Sequence, residues 1–301
     1  MPLWIPITIA AAFLQNVRSS LQKYLKGRMG TTGATFVRFG FGMPFVYMLV
    51  AMLHYHVGYA FPDLSARFLI WVLVGALSQI GATFTLIHLF SFRNFAVGTA
   101  YSRTEPVLAA LFGLIFLGET IGGPVIAAIA ISMIGVMVIS VARDKFTLTA
   151  LITSLGQRIA VLGLISGAGF GFSAVSYRAA SLALAGPNFI MQGAVTLVFA
   201  ITIQTITMLC WMLIREPEQF ALIRKAWRPS LIVGLAGATA SFGWFTAMTL
   251  QNAAIVKALA QVELIFTFVT TVFFFREKIN RLEVIGCSLV AAGIVVLVLF
   301  R

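Results

Sequence analysis

Residues 107–117 read VLAALFGLIFL, an apolar run that contains no charged or hydrogen-bonding side chain. The strands of a transmembrane barrel alternate polar with apolar residues, and this run does not alternate, so a helix is predicted here. The mainly apolar stretch around it extends from residue 95 to residue 117. A helix needs about 20 such residues to cross the hydrocarbon of a bilayer, so the stretch is predicted to span a membrane.

Stretches of this kind recur along the whole chain, which is therefore predicted to be an all-α integral membrane protein with ten transmembrane helices. Of the 301 residues, 60% are hydrophobic and only 10% are charged, too few charges to coat a surface that faces water. This composition excludes a soluble enzyme, a disordered chain and, despite a net charge of +12, a nucleic-acid-binding protein. The predicted spans are residues 3–21, 32–53, 68–90, 95–117, 124–141, 159–185, 188–214, 229–250, 253–275 and 282–300.

The basic residues are divided unevenly among the connections between the predicted spans. Fourteen of the 21 Lys and Arg residues lie in the odd-numbered connections, whereas the even-numbered connections and the termini hold Arg67 and Arg301. Because basic loops stay on the cytoplasmic side, both termini are predicted to be non-cytoplasmic, in a multi-pass protein of the inner (plasma) membrane. The positive net charge is thus explained by topology and by attraction to anionic lipids.

The sequence contains an internal repeat. An offset of 158 residues aligns residues 94–140 with residues 252–298 without a gap. The match places Glu105 on Glu263, so the repeat includes an ionisable residue within each predicted span. Both copies therefore carry a carboxylate at the same point of a predicted helix.

The repeat predicts two five-helix halves, residues 1–143 and 159–301, joined by a cytoplasmic linker at residues 144–158. Since five is an odd number, the second half must enter the membrane from the opposite side. This is the inverted-repeat plan that many secondary transporters use.

The residues of the repeat resemble a known family. The stretch TEPVLAALFG at 104–113, followed by FLGE at 116–119 and by Gly135, is similar to the repeat of the drug/metabolite transporter superfamily, in its ten-helix EamA-type branch. The second copy, from Val262 to Gly293, is similar but lacks the proline. The resemblance implies a transporter with a central cavity that opens alternately to either side of the membrane.

Ionisable side chains inside the predicted spans are costly in lipid, so each is expected either to be paired internally or to line an aqueous path. Glu105 and Glu263 lie near the middle of their spans, where a poorly solvated carboxylate is a candidate for proton uptake and release. The alternative is that each carboxylate ties its helix to a neighbour through hydrogen bonds. His88 is a further candidate for proton coupling, although a lone histidine on a helix is more often a core residue.

Basic and polar residues on the fourth and ninth spans are candidate substrate contacts. Thr99 and Arg103 are four residues apart and share a helix face, and the repeat places Lys257 and Gln261 in a matching stripe. The opposite face of the fourth span carries Tyr101, Ser102 and Glu105. Which face lines the cavity is left open. The predicted substrate-binding residues are Arg103, Lys257, Arg178, Gln261, Trp244, Tyr101 and Gln79.

Three further arginines lie inside or beside predicted spans. For Arg178 and Arg38 two interpretations stay open, which are contact with a ligand and internal pairing with a glutamate or with carbonyl groups at a helix end. Arg18 lies close to the basic end of the first span, so its side chain is predicted to extend to the membrane interface.

Helix-breaking and small residues also indicate local structure. Pro106 removes a backbone hydrogen bond and predicts a kink near the middle of the fourth span. Gly163, Gly167 and Gly171 are spaced by four and predict close packing of the sixth span against a neighbour.

The charge balance inside the spans, five basic residues to two acidic ones, favours an anion or a zwitterion such as an amino acid as the solute. We expect a secondary transporter that works by alternating access, with export as its direction. The two glutamates keep open a proton-coupled multidrug exporter of organic cations. An intramembrane enzyme or a lipid-handling protein is less favoured, since no H-E-x-x-H motif or other catalytic constellation occurs. The expected partners are the lipid bilayer, a small-molecule solute and protons, with no cofactor, metal, nucleic acid or obligatory protein partner.

Overall fold

The computed structural model describes residues 1–89, 100–144, 157–186, 188–273 and 280–300. Within these ranges the regular structure is α-helical, apart from an isolated β-bridge between Asp63 and Ala185. The helices are α1 (Trp4–Lys26), α2 (Thr31–Gly40), α3 (Met43–Tyr55), α4 (Ala66–Leu89), α5 (Glu105–Leu117), α6 (Gly123–Asp144), α7 (Arg158–Ala183), α8 (Phe189–Arg215), α9 (Gln219–Lys225), α10 (Trp227–Leu250), α11 (Ala253–Leu259), α12 (Val262–Phe273) and α13 (Arg281–Leu299).

The structure confirms an all-α protein with several membrane-spanning helices. In the described ranges, 8 helical segments are long and apolar enough to cross a bilayer. They lie at Thr31–Tyr55, Ala66–Leu86, Ala100–Leu117, Gly123–Ser140, Arg158–Ala183, Phe189–Arg215, Trp227–Leu250 and Arg281–Leu299. The other two predicted spans correspond to α1, which carries several polar residues, and to the pair α11 and α12. The count of ten spans therefore stays a prediction.

Three predicted spans differ from single continuous helices. The second span is divided into α2 and α3 at residues 41–42, and the ninth into α11 and α12 at residues 260–261. In the fourth span, a turn at residues 103–104 precedes α5, which places Pro106 in the first turn, where its missing N–H costs nothing. The predicted interruption near Pro106 is confirmed. The ninth span breaks near the equivalent repeat position without a proline, so proline is not required for such a break.

The described chain forms two compact units. The first comprises Met1–Leu77 and Ser176–Gln251, and the second comprises Ser78–Val175 and Asn252–Arg301. Each unit thus combines segments from both halves of the sequence, and two of the three boundaries between units lie within α4 and α7.

Small residues allow the helices of the first unit to approach closely. A Cβ atom at Gly243 of α10 would lie 2.9 Å from the Cβ of Ala11 on α1. Further along α10, a Cβ at Gly234 would lie 2.5 Å from the carbonyl carbon of Phe41, at the break between α2 and α3. The backbone of α10 therefore packs closely against α1 and against the break between α2 and α3.

The second unit is packed in the same way. A Cβ at Gly135 of α6 would lie 2.6 Å from the carbonyl oxygen of Gly286 on α13. On α7, a Cβ at Gly167 or at Gly171 would lie 2.9 Å from a backbone atom of the segment 102–109. The predicted close packing of the glycine stripe is thus confirmed at these two positions of α7.

Candidate functional site

An ion pair joins α5 to α11 in the second unit. Lys257 Nζ lies 2.7 Å from Glu105 Oε1, and the two side chains are 20% and 22% exposed. Glu105 begins α5 and Lys257 lies in the last turn of α11, so the pair connects the two helices beside their breaks. The carboxylate neutralises the charge of Lys257, although the sequence had placed the two residues in separate stripes.

Polar residues at the two breaks are also buried. Gln261, at the break between α11 and α12, is 7% exposed, and its Oε1 accepts no hydrogen bond from the described part of the chain. Together with Pro106 and Ala258 it borders a narrow gap that has no room for a water molecule. Before α5, the Thr104 hydroxyl donates to the Tyr101 carbonyl at 2.7 Å. The side-chain oxygen of Gln261 can therefore still accept a hydrogen bond.

The predicted stripes of the fourth span do not form one continuous helical surface. Arg103 is half-buried in the turn before α5, so helical spacing does not relate it to the residues of α5. Tyr101 is buried against Ala100 and Ala160. Thr99 lies outside the described residues.

The remaining candidates of the second unit lie on α4 and α12. Gln79 is half-buried, and its backbone carbonyl accepts a hydrogen bond from the Thr83 hydroxyl at 2.7 Å. His88 is exposed near the end of α4, so its interpretation as a core residue is wrong. Glu263 lies half-buried in the first turn of α12, and its backbone carbonyl accepts a hydrogen bond from the Thr267 hydroxyl at 2.9 Å.

Arg178 of α7 lies in the first unit, at the C-terminal end of α10. Its Nη1 donates to the carbonyl of Met248 at 2.6 Å and to that of Gln251 at 2.8 Å. A cation at this end of a helix satisfies carbonyl groups that have no intrahelical donor. The structure shows the helix-end pairing that the sequence had left open, and ligand contact by Arg178 stays a prediction.

Trp244 of α10 is buried, and its side chain is hydrogen-bonded to α1. Its indole Nε1 donates to Gln15 Oε1 at 3.0 Å. In the same unit, Gln204 Nε2 of α8 donates to the Tyr177 hydroxyl of α7 at 3.0 Å. These side-chain bonds fix two aromatic residues in the interior of the first unit.

Two arginines that the sequence did not bring together meet beside Gly237 of α10. Arg18 is only 8% exposed, so the prediction that it extends to the interface is wrong. A Cβ at Gly237 would lie 3.3 Å from Arg18 Cδ and 3.2 Å from Arg38 Cγ. The absent side chain at Gly237 leaves space for both stems. No local sequence signal indicates this meeting, since it depends on how three separate helices pack.

Comparison with known proteins agrees with this architecture. The EamA-like transporter family model matches residues 2–141 and 157–299. Among solved structures, 28 chains match. One of them is a crystal structure with a TM-score of 0.73 and 16% sequence identity, and the alignment covers 99% of each chain. That likeness shows the fold alone. No curated protein matches the chain. Since the family model matches nearly the whole sequence, the chain belongs to the EamA-like transporter family.

Proposed function

We propose that this membrane transporter moves a small anion or zwitterion, such as an amino acid, across the inner (plasma) membrane by alternating access. The proposal includes ten spans arranged as two inverted repeats and export as the direction. The inverted repeats are inferred from the internal repeat of the sequence, because alternating access needs two related bundles that open in turn.

The observation that carries the choice of solute is the ion pair of Glu105 with Lys257. It removes one negative and one positive charge from the balance within the spans. The positive charges of Arg18, Arg38, Arg103 and Arg178 then remain against the one carboxylate of Glu263, which favours a solute with a negative group. The pairing also occupies Glu105, one of the two carboxylates that an exporter of organic cations could use, and it leaves Glu263 for that alternative.

The test is transport in proteoliposomes made with the purified full chain. We expect saturable flux of labelled L-glutamate or L-leucine, and no saturable flux of the organic cation tetraphenylphosphonium. Liposomes without protein are the control for leakage. Saturable flux of the cation alone would overturn the proposal in favour of a multidrug exporter.

We propose further that Glu105 or Glu263 exchanges a proton during transport. Both carboxylates lie in the first turn of a short helix beside a break, at points where a change of helix orientation alters access to water. Glu105→Gln or Glu263→Gln is expected to abolish the pH dependence of flux while the protein stays folded. Flux that remains pH-dependent in both variants would exclude coupling through these residues. His88→Gln is a matched variant at the exposed end of α4, and the same loss in His88→Gln alone would assign the coupling to the histidine.

A further inference from the structure

Exposed cations gather at one end of the first unit, where α1 and α8 end and α10 begins. A buried apolar cluster joins these helix ends, and its members include Leu25, Met29, Met212, Ile223 and Ala226. Five exposed basic residues lie within three sequence positions of a member of this cluster, namely Arg28, Arg215, Arg224, Lys225 and Arg228. These five residues are called the basic end of the first unit.

Three arginines of the basic end lie over aromatic rings that are themselves about half exposed. Aromatic rings of this kind are enriched where the hydrocarbon of a bilayer meets its headgroups. A guanidinium group that stacks on a ring still presents its N–H donors at its edge. The distances from Cζ to the ring centre are 4.6 Å for Arg28 and Tyr24, 6.0 Å for Arg215 and Trp211, and 5.5 Å for Arg228 and Trp227.

The exposed apolar surface of two spanning helices stops at these cations. On α8 the exposed side chain of Ile214 is followed directly by Arg215. On α10 Arg228 comes before the exposed side chains of Leu231 and Ile232. Exposed aliphatic side chains on a spanning helix contact hydrocarbon, and charged groups lie at its edge because their burial in lipid is costly. The basic end therefore lies at the level of the lipid headgroups.

Hydrogen bonds fix the connection that carries the basic residues of α9. The Gly30 N–H donates to Gln219 Oε1 at 2.9 Å, and the Thr32 hydroxyl donates to Glu216 Oε1 at 2.9 Å. Both bonds join the connection after α8 to the start of α2. Since Gln219 and Ile223 are buried on the inner face of α9, Arg224 and Lys225 are exposed on its outer face.

The basic end keeps its positive charge in the folded protein. None of its five cations forms an ion pair with a carboxylate of the described residues. Arg215, Arg224 and Lys225 lie in the last turns of their helices, where carbonyl groups favour a cation, and all five side chains are exposed to solvent. The fold therefore does not depend on a bound anion, and the charge stays available to attract one.

We propose that the basic end of the first unit binds the headgroups of anionic phospholipids. The lipid phosphate accepts hydrogen bonds from the guanidinium and ammonium groups, and arginine donates two parallel bonds to such a group. The acyl chains lie along the exposed apolar side chains at the ends of α8 and α10, a contact that a soluble anion lacks. Clusters of four to eight basic residues beside spanning helices attract anionic lipids in this way. The inference concerns a partner other than the solute, so it stands or falls independently of the proposed transport.

The test counts the lipids bound to the purified full chain in neutral detergent by native mass spectrometry, during titration with phosphatidylglycerol or with phosphatidylcholine. We expect the wild type to bind phosphatidylglycerol more tightly than phosphatidylcholine, and a rise in salt to weaken the preference. Arg228→Gln should lower the apparent affinity for phosphatidylglycerol roughly fivefold, the loss expected for one cation near an anionic surface. Arg224→Gln, Lys225→Gln and Arg228→Gln combined should lower it on the order of a hundredfold.

Arg67→Gln is the matched control, because it removes one exposed cation from the other end of the same unit. The Asp63 N–H donates to the Ala185 carbonyl at 3.3 Å, which places the residues before α4 beside those that precede α8. Helix α8 has 27 residues and is about 40 Å long, so Arg67 lies far from Arg215. Arg67→Gln should therefore bind phosphatidylglycerol as the wild type does.

Three results would overturn the inference. The first is equal binding of phosphatidylglycerol and phosphatidylcholine by the wild type, and the second is an equal effect of Arg228→Gln and Arg67→Gln. The third is displacement of phosphatidylglycerol by inorganic phosphate at equal ionic strength, which would show that a soluble anion occupies the basic end. If the combined variant does not fold, Arg224→Gln and Arg228→Gln are measured singly, and each should show the fivefold loss.

Discussion

At the scale of single residues, the ion pair of Glu105 with Lys257 is a contact that connects two short helices. Lys257→Gln would leave a half-buried carboxylate without its cation, so we expect the free energy of unfolding to fall by about 1–3 kcal/mol. The additional change Glu105→Gln should restore part of that loss, because two neutral amides can bond to each other. Unfolding of the two single variants and the double variant in detergent gives the coupling energy.

If the stability losses of the two single variants add up to the loss of the double variant, the two side chains do not stabilise each other. A folded Lys257→Gln variant has a second use, since its flux tests whether the lysine binds the solute. Unchanged stability with weakened substrate binding would assign Lys257 to the substrate site and not to the connection of α5 with α11.

At the scale of elements, α6 and α13 approach each other closely in the second unit. A Cβ at Gly286 would lie 2.7 Å from the carbonyl oxygen of Gly135, a backbone atom that cannot move aside. Gly286→Ala is therefore expected to lower the free energy of unfolding by about 1–3 kcal/mol, the usual cost of an overpacked contact. The measurement is unfolding of the detergent-solubilised protein.

The matched control for that change is Gly81→Ala in α4. No atom of the described residues lies within 4 Å of a Cβ at Gly81, so the substitution should be neutral or should stabilise the helix by up to about 1 kcal/mol. Equal effects at Gly81 and Gly286 would mean that helix propensity, and not the approach of α6 to α13, determines the outcome.

At the scale of the whole molecule, the uneven distribution of basic residues predicts the orientation. Because basic connections stay in the cytoplasm, both termini should be non-cytoplasmic. A reporter that is active only in the cytoplasm, fused after Arg301, should be inactive, and a reporter that is active only outside should work there. The same pair of reporters placed in the linker at 144–158 should give the opposite result. Cytoplasmic activity at Arg301 would reverse the predicted topology.

Local patterns made the class of this protein and its repeat predictable. The length of an apolar run and the absence of polar–apolar alternation depend on neighbouring residues alone. Both could therefore be recognised in the sequence without a tertiary structure. The position of the break near Pro106 could also be predicted, because proline acts on its own helix. The break at residues 260–261 could not, since no proline or other local signal marks it.

The sequence by itself therefore determined that the chain is an all-α membrane protein with a repeated, basic and mostly apolar pattern. Only the tertiary structure decided which charges meet: Lys257 with Glu105, Arg178 with the end of α10, and Arg18 with Arg38 beside Gly237. The physical reason is that burial in lipid follows from composition, which is a sum over residues. An ionic contact instead needs two side chains within a few ångströms, and helices far apart in the sequence reach that distance only through their packing.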